Sequence, residues 1–154
     1  MTMIDQKFIG HEFPDFVYQV EPFQLRLFAK AIGETTPVYL DSDIAGNEGY
    51  ASIPAPPSFP FSVSMNPADP LDLIAPMELQ VAYILHGSQS FTYYKPICAG
   101  DRIRVTRRIS NISVKKGGAL EFISYEIRYL NAARDELVCE AEQVLVYRNP
   151  QAAS

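Results

Sequence analysis

Leu120-Glu121-Phe122-Ile123-Ser124-Tyr125-Glu126-Ile127-Arg128-Tyr129-Leu130 is the stretch on which the fold turns. Ile123, Tyr125, Ile127 and Tyr129 recur at every second position, with Ser124, Glu126 and Arg128 between them. A period of two sends alternate side chains to opposite faces of a strand, so one face is apolar and the other polar. The pattern repeats on both sides of it. Asp101 to Val114 sets Ile103, Val105 and Ile109 against Arg102, Arg104 and Arg108, and Ala82 to Tyr94 and Glu136 to Arg148 also read as extended. Short connections at Lys95-Pro96 through Gly100-Asp101, Lys115-Lys116-Gly117-Gly118 and Asn131 through Asp135 join consecutive strands, which makes the sheet largely antiparallel with one buried face. In the last strand the apolar parity shifts from Leu137, Cys139 and Ala141 to Val144 and Val146; a bulge and burial on both faces each fit that shift.

Upstream the period changes. Phe16 to Val20 reads as a short strand, and Pro22 then opens a helix with Phe23, Leu27, Phe28, Ala31 and Ile32 on its apolar face and Gly33 as its C-terminal stop. Thr35-Thr36-Pro37 forces an extended or turn conformation before Asp41-Ser42-Asp43 caps a brief second helix, so Glu34 to Tyr50 reads as an overhanging segment. Seven of the 12 prolines lie between Pro54 and Pro76; Pro60 starts a short buried helix that Pro67 must end. Helices followed by a strongly curved antiparallel sheet make an α+β domain.

The chain has 154 residues, the size of a single domain, with a core from about 10 to 148. Its 47% hydrophobic content supports such a core, and the formal charge of −5 argues against a nucleic-acid binder. Cys98 and Cys139 are the only cysteines, each among aliphatic neighbours, which leaves no disulfide framework and no metal-ligand spacing. No signal peptide opens the sequence, and no run of about 18 apolar residues would make a membrane span; a cytoplasmic location fits these features.

A glycine-rich phosphate loop, a GxSxG elbow and an HExxH pair are all missing, and the two histidines are His11 and His86. Three segments carry a likeness: Ala31-Ile32-Gly33-Glu34-Thr35-Thr36-Pro37-Val38-Tyr39, Ala55-Pro56-Pro57-Ser58-Phe59, and Tyr94-Lys95-Pro96-Ile97-Cys98-Ala99-Gly100-Asp101, with Leu85-His86-Gly87-Ser88-Gln89 opening the strand between the last two. In order and spacing the chain resembles the MaoC-like hot-dog dehydratases. More closely, it looks like the group that includes the N-terminal domains of type I fatty-acid-synthase-like dehydratases and the non-catalytic subunit of mycobacterial hydroxyacyl-carrier-protein dehydratases. The resemblance implies a sheet curled about a central apolar helix starting near Ser58, and two such units paired through their sheets. It implies acyl thioesters as ligands, with coenzyme A or phosphopantetheine as the substrate carrier and no bound cofactor or metal. The implied reaction is reversible hydration of a 2-enoyl thioester.

That reaction needs a group to move the α proton, a group to handle water and donors for the enolate-like oxygen. Active members supply an Asp and a His from a Gly-Asp-x-Asn-Pro-x-His segment. On this chain those positions fall on Glu34 and Tyr39, while Gly33 and Pro37 stay. A tyrosine with a pKa near 10 is a poor base at neutral pH. The catalytic candidates are therefore Glu34, Tyr39 and His86, the last on a strand beside the acyl region. Ala55, Pro56, Pro57, Ser58 and Phe59, with Phe61, Gly87 and Gln89, are expected to bind substrate, as a wall of the acyl tunnel or through the few amides the prolines leave free. Arg102, Arg104, Arg107 and Arg108 offer a dock for carrier phosphates, or else a solvated strand face. Three readings stay open: a substrate-holding subunit paired with a catalytic MaoC-like partner, a self-sufficient homodimeric dehydratase or thioesterase using Glu34 or His86, and a non-catalytic acyl-binding module.

Overall fold

The computed structural model describes residues 4–151. Strand β1 (Glu12–Gln19) leads into helix α1 (Pro22–Ala31), and α2 (Ser42–Asn47) and α3 (Phe59–Ser64) follow. Four strands complete the chain: β2 (Ile84–Tyr93), β3 (Arg102–Lys115), β4 (Leu120–Asn131) and β5 (Glu136–Arg148). They form one five-stranded sheet in the order β1-β3-β4-β5-β2, every neighbouring pair antiparallel. This is an α+β hot-dog architecture, with α3 held against the apolar face of the sheet. The elements stop where their chemistry says they should. Pro22 occupies the first turn of α1, Gly33 beyond its end takes a φ of +73°, and the Asp41 carboxylate caps α2 by accepting from the Asp43 and Ile44 amides.

Registers align the core-facing side chains of β2, β5 and β4 into rows: Ile84–Tyr147–Glu121, His86–Leu145–Ile123, Gln89–Gln143–Tyr125, Phe91–Ala141–Ile127 and Tyr93–Cys139–Tyr129. Ile123, Tyr125, Ile127 and Tyr129 are fully buried there, as the alternation in β4 requires. Phe59 and Val63 of α3 pack into the same core, with Phe59 edge-on to Tyr18 and Phe28.

Three expectations change. β1 begins at Glu12 instead of Phe16, because a register shift between Phe13 and Phe16 absorbs Pro14 and lets the ladder continue past a residue without an N–H. In β5 the register shift lies beside Val138, and the core parity then runs without a break through Cys139, Ala141, Gln143, Leu145 and Tyr147. A polar Gln143, buried at a core position, concealed that continuity; Val146 is covered on the other face. The third change concerns Arg107, which shares the core parity of Ile103, Val105 and Ile109. It is buried, and its guanidinium makes a bidentate pair with Asp72 (2.7 and 2.6 Å), donates to the Pro14 carbonyl and lies over the rings of Phe13 and Phe16. It therefore anchors the connection between α3 and β2, and the expected phosphate-docking role is corrected for this residue.

Candidate functional site

A cavity of about 360 Å³ opens where the overhanging segment, the approach to α3 and the end of β2 meet. Tyr39 comes from a single 3-10 turn, Pro37–Tyr39, whose first residue fixes the backbone. Ala55, Pro56, Pro57 and Pro60 supply a second wall, and Tyr93, Tyr94, Lys95, Pro96 and Ile97 a third. An isolated bridge between Pro54 and Cys98 and the Ala55 N–H bonded to the Ile97 carbonyl (2.7 Å) hold those two walls together. Three of the expected substrate-binding residues, Ala55, Pro56 and Pro57, thus lie with Tyr39.

The others lie elsewhere. Glu34 is outside the cavity lining, its carboxylate committed to the Thr36 N–H (2.8 Å) and the Thr36 hydroxyl (2.6 Å). Those two bonds hold its pKa below the ordinary carboxylate range, because they stabilise the charged form. Phe59 is core, and its N–H already donates to the Pro56 carbonyl at 2.9 Å. Phe61 meets the ring of His86 edge-on at 5.4 Å, and His86 Nε2 lies 3.2 Å from Gln89 Oε1. Gly87 sits at a register shift in β2, which turns both His86 and Gln89 toward the core face although three positions separate them. A Cβ on Gly87 would come within 2.7 Å of Val146 Cγ2 and 3.1 Å of the Val144 carbonyl. Ser58 is exposed at the start of α3.

On the basic strand, Arg104 reaches Asp135 and Asp15, and Arg108 pairs with Glu126 at 2.7 Å. Arg102 is exposed and has no ion pair among the described residues. No group of His, Cys, Asp and Glu among the described residues could hold a metal ion.

Sequence reasoning missed Tyr50, Tyr93, Lys95 and Ile97 as cavity walls. The signal lies in Lys95-Pro96-Ile97, within the segment whose sequence reads as a strand connection; its bond to Ala55 is a long-range contact that no local pattern encodes. Tyr94 is fixed by its hydroxyl donating to Glu140 at 2.7 Å, and Lys95 by Glu136. Burial pushes the Tyr39 and Tyr93 phenols up from their ordinary pKa, Tyr50 and Glu34 adding to the effect on Tyr39, and Cys139 and Tyr39 to that on Tyr93. Both remain protonated at neutral pH and so act as hydrogen-bond donors.

Residues 7–141 match the model of the FAS1-like dehydratase domain region. The chain belongs to this dehydratase family. Its curated relatives include a UPF0336 protein of Saccharopolyspora erythraea, 34% identical over 146 residues that cover 94% of this chain and 92% of that protein. Another, from Streptomyces griseus, is 33% identical over 151 residues covering 97% and 99%. Among solved structures, the HadBC (3R-hydroxyacyl-ACP dehydratase) complex from Mycobacterium tuberculosis superposes with a TM-score of 0.78 at 24% identity, over 90% of this chain and 96% of that one. A MaoC-like dehydratase gives 0.82 at 21% identity, over 94% of this chain and 43% of that longer one. At these identities the structures speak for the fold: a MaoC-like hot dog. Tyr39 lines the cavity, and among the described residues no carboxylate or imidazole does.

Proposed function

We propose that this chain is the acyl-thioester-holding half of a 2-enoyl hydratase or 3-hydroxyacyl dehydratase, with the proton-transfer pair supplied by a catalytic MaoC-like partner. The observation that carries the reading is the composition of the cavity wall: tyrosines, prolines and aliphatic groups, with Lys95 held by Glu136, and neither an acid nor an imidazole. Such a wall suits a neutral, largely apolar ligand oriented by a few polar groups. It has no group that takes a proton from an α carbon at neutral pH. An acyl chain on coenzyme A or on carrier-protein phosphopantetheine fits this wall, and exposed Arg102 is the remaining candidate for a carrier phosphate.

A partner's place is suggested by the two sheet edges. β1 is guarded by Glu12, Pro14 and Asp15, whereas Ile84–Tyr93 of β2 contains no proline and no Lys, Arg, Asp or Glu. An unguarded edge strand is a template for another strand, so the partner pairs along β2. Two solved structures similar to this chain are named as complexes, HadBC and ChsH1-ChsH2 from Mycobacterium tuberculosis, which supports pairing with a different chain here.

His86 favours a second reading, a homodimer that works alone, because its ring is exposed on that same edge, where a second copy would meet it. Native mass spectrometry and crotonyl-thioester hydration, run on the chain alone and on the chain co-purified with the product of a neighbouring gene, separate the two. The proposal expects turnover in the pair and little in the isolated chain. Robust activity of the isolated chain, lost in His86→Ala, would replace it with the homodimer.

A further inference from the structure

Oxyanion stabilisation normally uses backbone N–H groups at the start of a helix. Here that source is largely spent. Pro56, Pro57 and Pro60 have no N–H, and the Phe59 N–H donates to the Pro56 carbonyl. The side chains lining the same cavity tell a different story. Four tyrosines line it: Tyr39, Tyr50, Tyr93 and Tyr94. Tyr94 has given its hydroxyl to Glu140, and Lys95 is held by Glu136. The hydroxyls of Tyr39, Tyr50 and Tyr93 make no hydrogen bond among the described residues.

The positions of two of them are set firmly. Tyr39 sits in the turn started by Pro37, and Tyr93 lies at the edge end of the row Tyr93–Cys139–Tyr129, its ring stacked on Phe91 at 5.9 Å. Phenols with no protein acceptor, in a wall of proline and aliphatic carbon, are available to donate to an acceptor on the ligand. A carboxylate ligand would want a free cation, and Lys95 already pairs with Glu136; a carbonyl oxygen, with two lone pairs and no net charge, suits two neutral donors.

We propose that Tyr39 and Tyr93 together bind the thioester carbonyl oxygen of the acyl ligand, a side-chain substitute for the amide donors that the proline-rich approach to α3 removes. This rests on the acyl-thioester reading above and goes beyond it. It assigns Tyr39 a role different from the base whose position it occupies. It also makes the chain polarise the carbonyl, and thereby acidify the α proton that the partner's base removes.

The test is isothermal titration of the full-length chain with butyryl-coenzyme A and with S-butyl-coenzyme A, a thioether that keeps the saturated four-carbon chain and the carrier but lacks the carbonyl. The wild type is expected to bind the ester about tenfold more tightly or better. Tyr39→Phe and Tyr93→Phe should each weaken the ester about 3- to 10-fold and leave the thioether unchanged. Thermal melts of each variant check that the fold is retained. Equal binding of ester and thioether by the wild type, or equal weakening of both by the Phe variants, would overturn the two-phenol assignment and leave the acyl-thioester reading standing. Binding of neither compound would overturn both.

Discussion

Arg107 offers the sharpest test of how the chain is held together. Its side chain is 1% exposed and that of Asp72 20%, and the two make a bidentate pair. Replacing Arg107 with Ala removes the guanidinium, its bond to Pro14 and its stacking on Phe13 and Phe16. Breaking a buried pair on one side costs about 3–5 kcal/mol, chiefly because the other charge is left unpaired. Asp72 retains some access to water, so the lower figure, about 3 kcal/mol, is expected. For a chain of this length that is a fall of about 6–12 °C in Tm. Asp72→Ala strands the more deeply buried partner and should cost at least as much. The double variant should cost less than the sum, with a coupling of about 2 kcal/mol in urea unfolding followed by circular dichroism. A loss below about 1 kcal/mol for Arg107→Ala, or additive single effects, would refute the assignment of this pair as the anchor of the α3–β2 connection. Salt-dependent weakening of carrier binding with unchanged stability would return Arg107 to a docking role.

Gly87→Ala should destabilise by about 1–3 kcal/mol in the same assay, since the added methyl meets Val146 and the Val144 carbonyl, and Val146→Ala should recover part of the loss. Glu34 is predicted to titrate below its ordinary value of 4.5 in carboxyl-detected NMR. Its pKa is lowered on folding, so its contribution to stability is present above 4.5 and is lost as pH falls through the depressed folded value; Thr36→Val should move the midpoint back up. Cys139 is fully buried and its thiol is pushed up to about 12 by burial and by Glu140. Labelling of Cys139 by a disulfide reagent at pH 8 should therefore track unfolding, and rapid modification of the native protein would contradict its place between Tyr93 and Tyr129.

Much of the scaffold was legible because its causes are local. The period of two in β4, the proline and glycine that bracket α1 and the carboxylate cap of α2 act within a few residues of themselves. Where the reading slipped, a single side chain misreported its face. Arg107 was grouped with its charged neighbours although its parity matched Ile103, Val105 and Ile109, because a buried guanidinium requires a partner 35 positions away that no local pattern reveals. Gln143 hid a continuous core face because a polar amide reads as solvent-facing, although the residue is buried. At the site, Tyr39, Ala55, Pro56 and Pro57 line one cavity. Tyr93 was out of reach because it joins them only through the register of β2 with β5 and through the Ala55–Ile97 bond.

The bare margin of β2 has a consequence for identity. Main-chain hydrogen bonds between strands carry no information about which chain provides them, so two edges of this kind will accept each other as readily as they accept a proper mate. Discrimination then falls on the exposed side chains along the margin that do not face the core, Leu85, Ser88, Ser90 and Thr92 among them. In a cell that makes several chains of this architecture, exchanging those residues should rewire who assembles with whom while leaving each fold untouched.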